Sequence, residues 1–415
     1  MSVTAIQNVA AAGRKLRQPQ HTWLVRQLPF AIQPVCIAPV LPGETLKNAL
    51  FQIRAVTMPL KSPLIGWWFE TYLFYVKHRA MANAAQYTNM MLDPTTSITK
   101  TAAAVAKHYS AQGQVPWVQQ CLQSVVQTFF RDEGEAWDGY LIDGLPAASI
   151  QHNSWLDSAA TVAEATAGDF NVDLNANSTI TAGEVSKALL QWEFLRANNL
   201  TDMSYEDYLR SFGVRTQREE INLPELIRYS REWQYPSNTV EPTTGAPSSA
   251  VSWAISERAD KDRFFREPGF IFGVCVVRPK VYLSSQDSAA VALMDDAYAW
   301  LPAIMRADPQ TSIKSVGSGN TASPLSSSPA TYYTDVRDLL LYGDQWVVGS
   351  EAGSVALPTA DLMNKRYPSL ADVQGLFVSG DASGQGIRHD GVLRLSILGT
   401  QTDSTPRGTK LGFTL

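Results

Sequence analysis

The chain is poor in cysteine: Cys36, Cys121 and Cys275 are its only three in 415 residues. That number and scatter exclude a disulfide framework and a thiolate metal site, both of which need paired or closely spaced cysteines. Each lies in an apolar run, which predicts buried free thiols and suits a reducing compartment. The histidines, His21, His78, His108, His152 and His389, show no H-x-x-x-H or similar metal spacing. Long hydrophobic runs are missing too. Gln27 to Gly43, the longest uncharged stretch near the start, is broken by Pro29, Pro34, Pro39 and Pro42, so no spanning helix and no membrane insertion is expected. Met1 to Gly13 has no apolar core of the kind a signal peptide needs, so none is expected. Nor does one charge dominate. Lys and Arg total 34 against 39 Asp and Glu, a formal charge of -5, which disfavours a protein that wraps nucleic acid over its whole surface. A local basic patch stays open.

What is present is a packed core's worth of apolar side chains. The 11 Trp, 15 Tyr and 15 Phe argue against disorder, because such residues bury enough surface to offset ordering entropy. The first section, to about Ala80, alternates prolines with β-branched and aromatic runs and ends in Trp67-Trp68-Phe69-Glu70-Thr71-Tyr72-Leu73-Phe74-Tyr75-Val76, which reads as strands. From Met81 to about Arg231 the composition turns to Ala, Gln and Glu with helical patterning. Val185, Ala188, Leu189, Trp192 and Leu195 form an apolar stripe, opened by a Thr181/Glu184 capping-box signature. Pro236 to Ser252 reads as a linker, and Gly269 to Val277 as a strand buried on both faces. Ser315 to Ala330 is rich in Ser, Gly and Pro. In Gly391 to Leu398 the apolar Leu393, Leu395 and Ile397 alternate with Arg394 and Ser396. Strands at both ends and helices between them predict a single antiparallel β-sandwich with large insertions. The expected divisions are an arm at 1–21, first core strands at 22–80, a largely helical insertion at 81–253, and the remaining core strands at 254–415 with a loop at 315–330.

Few motifs carry chemistry. Asp173, Asn175, Asn177, Ile180 and Glu184 fall at the oxygen-ligand positions of a calcium loop, although Ser178 stands where the sharp turn wants glycine. Thr181 and Glu184 equally serve as a helix cap. Ser315 to Ala322 spells G-x-G-x-x-A, but Ser323 to Pro329 cannot begin the helix that a dinucleotide site requires. Asp132, Glu133, Glu135, Asp138 and Asp143 are interleaved with glycines and read as a solvated turn region. Arg388-His389-Asp390 are adjacent and so do not face one another, and no G-x-S-x-G elbow joins them. No constellation compels an enzyme, and no cofactor is expected. Arg14, Lys15 and Arg17 precede the first strand and could neutralise phosphates.

Several segments resemble, in order, the major capsid protein of microviruses, tailless icosahedral bacteriophages with circular single-stranded DNA. They are Val35-Cys-Ile-Ala-Pro-Val-Leu-Pro-Gly43-Glu-Thr45, Met58-Pro59-Leu60-Lys-Ser-Pro63 and Tyr72-Leu-Phe-Tyr-Val-Lys-His78-Arg79. Weaker likenesses follow at Ser178-Thr-Ile180, Leu190-Gln-Trp192, Tyr208 to Gly213, Arg263 to Gly273 and Gly343 to Trp346, so that the match runs from about residue 30 to 350. Lys77 stands where that family usually has proline.

The resemblance implies an eight-stranded antiparallel jelly roll with long, partly helical insertions. It implies a structural subunit that self-assembles into a small T=1 icosahedral shell around single-stranded DNA, made in the bacterial cytoplasm and located in the virion. Expected partners are identical copies, the genome on the inner face, other virion proteins (spike, DNA pilot, internal scaffolding or DNA-binding protein) and the host surface. On this reading Arg14, Lys15 and Arg17 face DNA, and Trp67, Trp68, Trp233 and Trp253 are interface residues. The alternative is a calcium-dependent carbohydrate-binding or hydrolytic β-sandwich using Asp173, Asn175, Asn177 and Glu184.

Overall fold

The computed structural model describes residues 15–62, 65–93, 95–102, 112–131, 136–150, 223–240, 247–259, 261–281, 313–315, 333–335, 362 and 367–399. Before the middle of the chain lie β1 (Lys15–Arg17), β2 (Gln20–Gln27), β3 (Gln33–Val40), β4 (Thr45–Thr57), β5 (Trp67–Lys77), α1 (Ala84–Leu92), α2 (Trp117–Phe129), β6 (Leu141–Ile142) and β7 (Leu145–Pro146). After it come β8 (Glu225–Gln234), β9 (Ser237–Val240), β10 (Pro247–Ala250), β11 (Ser252–Ala259), β12 (Arg263–Phe264) and β13 (Gly269–Pro279). β14 (Ile313–Ser315), β15 (Tyr333–Asp335), α3 (Leu370–Gln374) and β16 (Ile387–Gly399) complete the order.

The protein is mainly β, and its long strands form two antiparallel sheets. In the first, β16 lies between β4 and a line made of β1 and β2, and β4 carries β11 and β12 on its other side. In the second the order is β3-β13-β5-β8. The chain crosses between sheets repeatedly: β2, β4, β11 and β16 belong to one, β3, β5, β8 and β13 to the other. The two pack on each other through one hydrophobic core, in which Phe69 of β5 lies 5.7 Å from Trp253 of β11 and 5.6 Å from His389 of β16.

Local sequence explains the first sheet. In β4, Ala49, Phe51, Ile53 and Ala55 are buried, whereas Gln52, Arg54 and Val56 between them are exposed. β16 repeats the pattern with Ile387, His389, Leu393, Leu395 and Ile397 inward. A period of two on paired strands places one apolar row against the core and one polar row in water. β13 has no such alternation. All its positions are buried, as expected for a central strand covered on both faces. Its cover is α2, whose Cys121, Leu122, Val125 and Val126 are buried. Phe129 stacks obliquely on Phe74, with centroids 4.8 Å apart, and Phe130 meets the edge of Tyr72 at 5.3 Å. Each fully buried Phe here is worth about 1.5–3 kcal/mol of transfer free energy.

Some segments differ from the sequence reading. The middle span holds α1 and α2, but from Glu225 it is extended: β8 pairs with β5, and the cross-strand pairs Trp68–Trp233 and Tyr72–Tyr229 hold it there. The linker at 236–252 instead forms β9 and β10, an antiparallel pair. The arm is tied down from Lys15 onward, because β1 and β2 pair with β16. The helix at 184–196, the calcium-loop residues Asp173, Asn175, Asn177, Ile180 and Glu184, and Asp132, Glu133 and Glu135 lie outside the described residues, as do Gly317 to Ala322.

Candidate functional site

The outward faces of the two sheets differ. That of the second sheet is covered by α2 and by residues 130–131 and 136–150, which seal a polar network. Arg278 holds Glu70 Oε2 at 2.8 Å and donates to Ser149 O, and the Tyr72 hydroxyl donates to Glu70. Arg231 approaches the other carboxylate oxygen at 3.3 Å and lies over the Trp68 ring at 4.0 Å. Glu70 and Arg278 are almost completely buried, so their charges are compensated inside the fold.

The outward face of the first sheet is exposed. Reading across β2, β16, β4 and β11, Arg26 stands opposite Arg388, then Val56 and Ser252. The next outward row is Leu24, Asp390, Arg54 and Ala254; the next is Thr22, Val392, Gln52 and Ser256; the last is Gln20, Arg394, Leu50 and Arg258. Arg26, Arg54, Arg258, Arg388 and Arg394 are all exposed, and Asp390 is the only carboxylate in these rows. Leu24 and Val56, also outward, are 81% and 45% exposed. Arg26 donates to Ala382 O at the rim. Among the described residues, no carboxylate forms an ion pair with Arg54, Arg388 or Arg394. Guanidinium groups displayed this way can each grip a phosphate or carboxylate with two parallel hydrogen bonds.

Beneath this face lies a neutral cluster. The Trp23 indole donates to His389 Nδ1 at 3.1 Å, and His389 Nε2 is 2.9 Å from Gln27 Oε1. Burial pushes the His389 pKa down to about 4. Arg388 and Asp390 point the opposite way, as strand alternation requires. His78 sits apart, stacked on Phe270 at 5.1 Å and Trp117 at 5.4 Å; burial lowers its pKa to about 4 as well.

The residues singled out from sequence have separate fates. Arg17 is clamped: Nε and Nη2 reach the two Glu44 oxygens at 3.0 and 2.6 Å, and Nη2 also donates to Pro39 O at 2.7 Å. Its charge is matched within the subunit. Arg14 and the Lys15 side chain lie outside the described residues. Trp67 and Trp253 face the core, both buried. Trp68 and Trp233 are half-buried on the second sheet and lie 4.1 Å apart. All three cysteines are buried and free, and burial lifts the Cys36 thiol to about 12 and the other two well above their usual range. The arginine face escaped sequence reasoning. Its signal was the alternation of Arg388 and Arg394 with buried residues, but Arg26, Arg54 and Arg258 join them only through strand register.

Among the described residues no cluster of three or more His, Cys, Asp or Glu is placed to hold a metal, and no helix is long and apolar enough to cross a membrane. A scan of protein-family models gives no match, and a search of curated proteins gives none either.

Proposed function

We propose that this chain is a structural capsid subunit of the microvirus type, an eight-stranded jelly roll that assembles with identical copies into a T=1 icosahedral shell around single-stranded DNA. The observation that carries this reading is strand order. Numbering only the eight long strands in chain order, one sheet reads 1-8-3-6 and the other 2-7-4-5. Strand 1 pairs with 8, 2 with 7, 3 with 6 and 4 with 5, the interleaving that two Greek keys folded together generate and that viral capsid jelly rolls use.

Two further features support it. Long stretches of chain separate β5 from β8 and β13 from β16, the places where, on this reading, insertions contact neighbouring subunits. Large apolar side chains also stand exposed: Leu92 at 80%, Tyr235 and Val240 at 65%, and Phe264 at 50%. On this reading they stand against neighbouring copies in the shell. On this reading Trp68 and Trp233 remain interface residues, and Arg14 and Lys15 remain DNA-facing.

The test is the mass of native particles by light scattering and electron microscopy, with a nuclease challenge. A closed shell of many 45.6 kDa copies protecting circular single-stranded DNA is expected. A monodisperse monomer free of nucleic acid would refute the proposal, and saturable calcium and polysaccharide binding by that monomer would favour the carbohydrate-binding alternative.

A further inference from the structure

We infer that the outward face of the first sheet, bearing Arg26, Arg54, Arg258, Arg388 and Arg394, binds a single nucleic-acid strand along its phosphates. The inference rests on the shell reading only for the identity of that strand.

Charge is the first argument. The whole chain carries -5, yet the rows of this face hold five guanidinium groups and one carboxylate, Asp390, with Asp381 near Arg26 at the rim. The second argument is energetic. Arg26 and Arg388 are direct cross-strand partners on the same face, and like charges so placed destabilise a sheet. Asp390 sits one row away, opposite Arg54, and does not separate them. Asp381 beside Arg26 offsets part of that repulsion, and a polyanion laid over the row relieves the rest.

The third argument is extent. Arg388 and Arg394 are six residues apart on β16, a span of about 20 Å. No single phosphate reaches both, whereas a chain of phosphates does. Between the arginines, exposed Leu24 and Val56 offer apolar footing for bases, and the guanidinium planes offer stacking surfaces. Four strands wide, about 14 Å at about 4.8 Å per spacing, this face is broader than a duplex major groove of about 12 Å and cannot enter one, so the strand it suits is single. Arginine, the side chain used at all five places, is also the better bidentate phosphate ligand.

The experiment uses the full-length, unassembled subunit and fluorescent oligothymidylate, followed by anisotropy between 50 and 200 mM NaCl. The binding constant should fall with salt at a logarithmic slope of about -2 to -3.5, for three to five neutralised phosphates at about -0.7 each. Replacing Arg54, Arg388 and Arg394 together by Gln should flatten the slope by about 2. The corresponding triple Lys variant should keep most of it, which separates lost charge from lost folding, and Asp390→Asn should tighten binding. An unchanged slope in the Gln variant overturns the inference. So does equal affinity for polyglutamate or for a duplex of the same length. Failure of the two readings is distinguishable: particles whose subunits have no oligonucleotide affinity overturn the face alone, and affinity without particles overturns the shell alone.

Discussion

His389 makes the stability of the fold sensitive to mild acid, and the size of the effect can be worked out. Because Nδ1 accepts the Trp23 indole proton, the single ring proton sits on Nε2 and is donated to Gln27. A second proton on Nδ1 would set two N–H groups head to head inside a site that is 1% exposed, lined by Trp23, Gln27 and the edge of Phe69, with no carboxylate among these contacts. The pKa is accordingly held at about 4, against 6.5 for an unburied imidazole. Since the folded value is the lower one, the unfolded chain takes up the proton first. Stability is complete above pH 6.5 and is lost as pH falls toward 4, at no more than about 1.4 kcal/mol per pH unit. Between pH 7 and pH 5 this single residue should remove about 2 kcal/mol. The assay is urea unfolding of the unassembled subunit at both pH values, compared with His389→Gln, whose amide can still accept from Trp23 and donate to Gln27. The wild type should lose about 2 kcal/mol more than the variant over that interval. His78, also held neutral, is present in both proteins and cancels in the difference. Equal losses would refute the assignment.

Gly391 should tolerate no side chain: a Cβ there would lie 2.2 Å from a Trp23 ring carbon, so Gly391→Ala must displace the indole and break its bond to His389. About 2–4 kcal/mol of destabilisation is expected, read as a lower urea midpoint with unchanged slope. Glu70→Ala leaves Arg278 buried without its carboxylate and should cost about 3–5 kcal/mol, whereas the double replacement Glu70→Leu with Arg278→Met should recover most of that in the same measurement. Finally, Cys36, Cys121 and Cys275 should ignore an aromatic disulfide reagent at pH 8 in the native subunit and react at once in urea, because burial keeps all three protonated. Immediate reaction of the native protein would contradict the core described here.

The amino-acid order alone dictated the antiparallel β character of both ends. Leu393, Leu395 and Ile397 alternate with polar neighbours, and Gly269 to Val277 is apolar throughout, so the strand covered on one face and the strand covered on both were legible from period and composition. The burial of the three cysteines followed from their apolar surroundings in the same way. Strand β8 was not legible: Glu225–Gln234 is dense in charge, and it is extended because Trp68 and Tyr72 pair with Trp233 and Tyr229 across from it. The same limit hid the arginine face. Arg26, Arg54, Arg258 and Arg388 are separated by tens to hundreds of residues, and nothing local says that they share a side of one sheet. Arg17 shows the converse, a residue whose place in a basic run suggested a free charge but whose partner, Glu44, arrives through β1 pairing with β16. Periodicity and composition act within a segment, so the chain's own order decides which residues become strands and which face each one buries. Register between segments distant in sequence is a property of the packed whole, and it alone decided which charges meet, which are neutralised and which are left facing outward.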